Sequence, residues 1–102
     1  MESKLKKYES RAAMIKALAH PARLLVIDKL SKGETCVCEL TKLIGSDIST
    51  VSKHLLVLRN AGIVNTEKRG LQVFYSLNCP CVIDFLECSE RAVRNSRRGK
   101  GG

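Results

Sequence analysis

The stretch from Gly33 to Arg69, GETCVCELTKLIGSDISTVSKHLLVLRNAGIVNTEKR, decides the fold. Leu40, Leu43 and Ile44 recur at helical spacing, so Glu34–Ile44 is expected to be a short helix with Thr35 as its N-cap. Gly45 supplies the stop and Ser46-Asp47 the turn. Asp47 is expected to cap a helix over Ile48–Ala61, its carboxylate accepting the backbone N–H near Thr50. Val51, Leu55 and Leu58, with Ile48 beside them, form that helix's apolar stripe, and Gly62 ends it.

Outward from this segment, Ile63–Lys68 and Gln72–Leu77 read as two strands joined at Arg69-Gly70-Leu71, a hairpin with a basic tip. Upstream, Leu5, Tyr8, Ala12, Ile15 and Leu18 make a helical stripe over residues 4–18 that can form a dimer contact or pack on its own domain. His20-Pro21 breaks the chain and opens a helix to Ser31, with Leu24, Leu25, Ile27 and Leu30 or a subset of them buried. Downstream, Asn78-Cys79-Pro80 opens a last helix, Cys81–Ser96, with Val82, Phe85, Leu86, Ala92 and Val93 on its apolar face. Residues 1–96 are therefore expected to be one domain, and the basic tail 97–102 to be disordered.

Composition narrows the function. The formal net charge of +8 points to a polyanionic partner. Aromatics are only 4% of the 102 residues, so the modest core must be aliphatic, and a second copy can complete it. No apolar run approaches the ~18 residues that span a membrane, and the N-terminus carries no signal-peptide core, so no membrane role and a cytoplasmic location are expected. Five cysteines, an odd count, do not make a disulfide framework in a reducing compartment. The pairs are C-x-C rather than C-x-x-C, with no Cys–His pairing and no phosphate loop, which argues against an enzyme.

Four helices, a hairpin and a helix, with a glycine-stopped helix before a polar-basic one, make a mainly α winged helix-turn-helix: about five helices plus a two-stranded wing, expected as a homodimer. Ser49, Thr50, Ser52 and Lys53, with Ile48 and His54 beside them, offer hydroxyls and positive charge to double-stranded DNA in the major groove. A merely solvated face would alternate Lys with Glu, yet 48–59 holds no acid. Lys68, Arg69 and Gln72 of the hairpin can reach the backbone or minor groove. A constitutive chromatin-type or adaptor protein with inert cysteines is the competing reading.

Four blocks in order, LAHPARLLVIDKL, GETCVCEL, STVSKHLLVLRNAGIV and RGLQVFYSL, resemble the ArsR/SmtB family of winged-helix repressors over about residues 10–80. The resemblance implies a bacterial or archaeal homodimer on an inverted-repeat operator, released when an inducer lowers its DNA affinity. It makes Ser49–His54 the recognition-helix positions and Lys68–Gln72 the wing. Ile48 stands where the family often has Gln. Cys36 and Cys38 match the family's CVC thiolate motif for arsenite and antimonite, or for soft divalent metals with added ligands. The family's common third thiol on this helix would fall at Thr41.

In a regular helix, residues i and i+2 point about 200° apart, so Cys36 and Cys38 grip one ion only if the helix start is distorted. A trivalent centre needs a third thiolate, for which Cys79, Cys81 and Cys88 are the candidates. The two histidines, His20 and His54, do not supply a zinc site built on His and carboxylate. Two sensors fit: a thiolate site for a metalloid or soft metal, or a disulfide or polysulfide bridge between third-helix and last-helix cysteines.

Overall fold

The computed structural model describes the backbone of residues 2–101 and the side-chain surroundings of residues 4–97. Its elements are α1 (Glu2–Leu18), α2 (Pro21–Leu30), β1 (Thr35–Cys36), α3 (Val37–Ile44), α4 (Ile48–Asn60), β2 (Val64–Arg69), β3 (Gln72–Leu77) and α5 (Cys81–Gly101). The architecture is a winged helix-turn-helix. The last helix continues beyond the expected end at Ser96 to Gly101, and Gly102 lies outside the described residues.

The wing has one strand more than the hairpin predicted from sequence. The sheet order is β1-β3-β2, all antiparallel, with Thr35 opposite Tyr75 and Cys36 opposite Phe74. Thr35 is therefore not the N-cap of the third helix; it is buried in the sheet, and Cys36 occupies the cap position. A two-residue strand carries no alternation, and its pairing partner lies some 40 residues away, so local sequence favours the cap. The β2–β3 turn has Gly70 at φ 62 followed by Leu71 without a positive φ, the pattern of a type II′ hairpin.

The core lies where α2, α3 and α4 meet the sheet. Val26, Ile27, Leu40, Val51, Leu55 and Leu58 are its fully buried side chains, joined by Leu18, Leu30, Ile63, Val64 and Val82. The stripe expected on α1 buries only its end in this chain, while Leu5, Tyr8 and Ile15 stay exposed. On α2, Leu24 and Leu25 also face outward, and on α5 so do Phe85 and Val93. These apolar faces lie outside the core of a single copy.

Two caps fix the start of α2 and the end of α3. His20 caps α2, its Nδ1 accepting the Ala22 N–H at 3.0 Å. Gly45 stops α3 at φ 78, its N–H donating to the Thr41 carbonyl at 3.0 Å. No atom lies within 4 Å of a Cβ placed on Gly45, so substitution meets backbone strain and no clash. Gly45→Ala should lower stability by about 1 kcal/mol and Gly45→Asn by less, read from urea midpoints. Equal stability of the alanine variant would refute the left-handed stop.

Candidate nucleic-acid interface and thiol site

Ile48, Ser49, Thr50, Ser52 and Lys53 are all exposed at the start of α4, with Ser49 and Lys53 opposite the buried Val51–Leu55–Leu58 stripe and the others beside it. Ile48 is 60% exposed, so it belongs to the outward face and not to the core. The expected cap is modified: the Asp47 carboxylate accepts the Thr50 hydroxyl at 2.6 Å, and this bond holds its pKa below the usual carboxylate range. Thr50 thus spends its proton on the cap and keeps lone pairs and a methyl for other contacts.

His54 is half-buried. Its ring packs on His20, centroids 4.3 Å apart at 49°, linking the α2 cap to α4. Burial, with His20 and Arg23 adding positive charge, pushes the His54 pKa down. Arg23 Nε itself is buried without a hydrogen-bond partner among the described residues. A histidine whose folded pKa is depressed is protonated more readily in the unfolded chain, so its contribution to stability falls as pH drops through about 6.5. The urea midpoint should therefore be lower at pH 5.5 than at pH 7.5, and His54→Asn should shrink that difference. An undiminished difference would remove His54 as its source.

On the wing, Lys68 and Gln72 are exposed. Arg69 is not free: its guanidinium bonds both carboxylate oxygens of Glu34, bonds Glu67, and lies 4.8 Å from the Phe74 ring centroid. Leu71, at the hairpin tip, is fully exposed and was not among the residues the sequence singled out. Its only signal is its place after Gly70 in the turn.

The thiols fall into local pairs. Because α3 starts at Val37, Cys36 sits on strand backbone and Cys38 on the first helical turn, so the 200° divergence does not arise. Their sulfurs stand 2.7 Å apart, Cys36 buried and Cys38 exposed. The contact between the two thiols, with the Glu39 backbone adding to the effect, holds the Cys36 thiol below its ordinary pKa; the same contact pushes Cys38 up.

Cys79 and Cys81 are joined in a disulfide across Pro80, and Cys88 is free and exposed. Among the described residues, no group of three or more His, Cys, Asp or Glu side chains is gathered for a metal ion. Nor is any helix there long and apolar enough to cross a membrane.

A glycine-stopped turn, an acid-free polar helix and a stiffened wing define a DNA-binding regulator of the winged helix-turn-helix class. Comparison with known proteins agrees. A family profile described as the bacterial regulatory protein, arsR family, matches residues 20–66. A biofilm growth-associated repressor of Agrobacterium fabrum is 46% identical over 66 residues, 65% of this chain and 56% of that protein. The chain's match thus spans little more than half of that relative.

A cadmium resistance transcriptional regulatory protein CadC homolog of Staphylococcus aureus is 41% identical over 77 residues, 74% of this chain and 64% of that protein. The crystal structure of the transcriptional repressor BigR from Xylella fastidiosa superimposes with a TM-score of 0.71 at 36% identity, covering 85% of this chain and 89% of that one. The chain belongs to the ArsR family of transcriptional regulators.

Proposed function

We propose that the chain is an operator-binding repressor that works as a homodimer and releases DNA when a thiophilic ligand engages Cys36 and Cys38. The observation that carries this reading is the convergence of the two sulfurs, 2.7 Å apart, at a strand–helix junction that leads into the helix-turn-helix. Two converging thiols with one held toward thiolate suit a soft ion: arsenite, antimonite or a divalent metal such as cadmium. The CadC homolog's name, with its cadmium resistance, fits that chemistry. The remaining ligand then comes from outside this group: from Cys88 of a second copy, from its Cys79 or Cys81 once their disulfide is reduced, or from a small thiol in solution.

The exposed apolar residues of α1 and α5 support the homodimer, because a partner can cover them. A twofold pair of α4 helices calls for an inverted-repeat operator, and such a repressor works in the cytoplasm. Ser49, Thr50, Ser52 and Lys53, with Ile48, would face the bases, and Lys68 and Gln72 the flanking backbone.

A second reading is thiol oxidation, a disulfide or polysulfide bridge between a third-helix and a last-helix cysteine; the bonded Cys79–Cys81 pair supports thiol oxidation in this chain but is a different pairing. One experiment separates the two. The purified protein is bound to operator DNA and challenged in parallel with arsenite, antimonite, cadmium, zinc and polysulfide, with intact-mass measurement of each sample. Release with a gain of one ion's mass supports the soft-ion sensor. Release with the loss of two hydrogens, alone for a disulfide or with the gain of sulfur atoms for a polysulfide bridge, supports the redox reading. Uniform weak binding to every duplex would overturn the repressor itself.

A further inference from the structure

Charge alone assigns Arg69 to a DNA phosphate, yet the guanidinium is already engaged on three sides. Both of its terminal nitrogens bond Glu34, Nη2 at 3.0 Å from Oε2; its Nε donates to Glu67 Oε2 at 3.1 Å; and Phe74 lies beneath it. These partners come from three places: Glu34 precedes β1, Glu67 lies in β2 and Phe74 in β3. Phe74 is also the register partner of Cys36. A residue of the wing hairpin is thus clamped to the segment that enters the thiol strand, 35 positions earlier in sequence.

We infer that Arg69 and Glu34 are positioning residues: their ion pair sets the angle of the β2–β3 wing on the strand that carries Cys36, and it passes a displacement of that strand to the wing. The inference rests on the thiol-sensor reading for its second half only. A strand two residues long has little else to hold it. The Thr35–Tyr75 and Cys36–Phe74 pairs tie it to β3, and Glu34 ties its entrance to β2 through Arg69.

A ligand that draws Cys38 and Cys36 into a new geometry moves the backbone of Cys36, and with it Glu34. An ion pair of two planar, forked groups resists both stretching and rotation, which a single lysine contact would not. Lys68, exposed beside Arg69 and without an ion-pair partner among the described residues, is left as a wing cation for phosphate.

The strut and the phosphate ligand make opposite predictions for Glu34. If Arg69 binds DNA, Glu34 competes with the operator, so Glu34→Gln frees the guanidinium and tightens binding while Arg69→Gln weakens it. If the pair is a strut, both variants lose the same thing. Each should weaken operator binding by about two- to fivefold, the range of exposed and partly exposed ion pairs. The double variant should be no worse than either single one.

The second half is tested on the same proteins with cadmium chloride as the probe. The fold-change in operator dissociation constant on adding cadmium should shrink in both variants. Cadmium affinity, followed by thiolate–metal absorbance, should stay within about twofold of the parent, because no thiol is altered; a purely structural role would leave the fold-change intact. Tighter operator binding by Glu34→Gln, or additive losses in the double variant, overturns the strut. An unchanged cadmium fold-change in both variants, with a responsive parent, overturns the transmission. A parent protein that ignores cadmium, and arsenite and antimonite run in parallel, instead overturns both the soft-ion reading and the transmission built on it, while the opposite-sign test of the strut still stands.

Discussion

A protein carrying Cys36→Ser and Cys38→Ser is expected to bind operator DNA as tightly as its parent and to stay bound when cadmium is added. Serine is nearly isosteric with cysteine, and the two hydroxyls can hydrogen-bond each other where the sulfurs now stand 2.7 Å apart. The buried place of Cys36 in the sheet is therefore filled, and the Thr35–Cys36 ladder with Tyr75 and Phe74 uses backbone groups that the change does not touch.

What is lost is affinity for soft ions, because a hydroxyl is a hard, protonated oxygen at neutral pH. Couplings between sites in switching proteins commonly change affinity by about 5- to 150-fold, and the whole of that ratio should collapse to about one. Fluorescence anisotropy of a labelled operator, with and without cadmium, measures it directly. Undiminished release of the doubly substituted protein would sink the assignment of Cys36 and Cys38 as the sensor.

The largest effect on stability is expected at Leu55. It lies on α4 beside Val51 and Leu58, fully buried, on the face opposite Lys53. Leu55→Ala should cost about 2–5 kcal/mol, lost transfer energy plus the cavity left behind. In a domain whose total stability is about 5–15 kcal/mol, that is enough to populate unfolded chain at physiological temperature. The measurement is the urea midpoint at unchanged slope. Leu56→Ala, one residue along but 53% exposed, should move it by no more than about 0.5 kcal/mol. Similar losses from the two would mean that α4 is not anchored through the Val51–Leu55–Leu58 face. The reading surface would then be free to roll.

Much of this was legible in the residues themselves. The bounds of α4 follow from Asp47 before it and Gly62 after it, and its buried side from apolar residues at spacings of 3 and 4. The hairpin follows from the alternation in Gln72–Leu77 and from Gly70. What escaped was nonlocal. The Glu34-Thr35-Cys36 segment reads as a helix entrance because threonine is a good cap; only Tyr75 and Phe74, distant in sequence, make it a strand. The convergence of Cys36 and Cys38 depends on that strand and was hidden with it.

Arg69 reads as a free cation because its tie to Glu34 spans 35 positions, although Glu67, two residues away, was a local hint. Cys79 and Cys81 were visible as a pair near a helix start, but nothing in their spacing told a mutual bond from a ligand set. The outward faces of α1 and α5 were visible as stripes, while the division between core and exterior on α2, Val26 inside and Leu24 outside, needed the packing itself.

Asn78 has a mechanical consequence. Its N–H donates to the Ile63 carbonyl at 2.9 Å, its side-chain amide donates to the Gly62 carbonyl at 3.0 Å, and its side-chain oxygen accepts from Asn65 at 3.0 Å. Those partners lie immediately beyond the C-terminal end of α4, and α5 departs three residues after Asn78. The root of α5 is therefore pinned to the segment that follows α4. A helix of 21 residues is a lever about 32 Å long. A rotation of about 10° at its root sweeps its far end through about 5 Å, comparable to one helical turn. In an assembly that packs on α5, the tilt of α4 would therefore follow the angle at which α5 leaves Asn78.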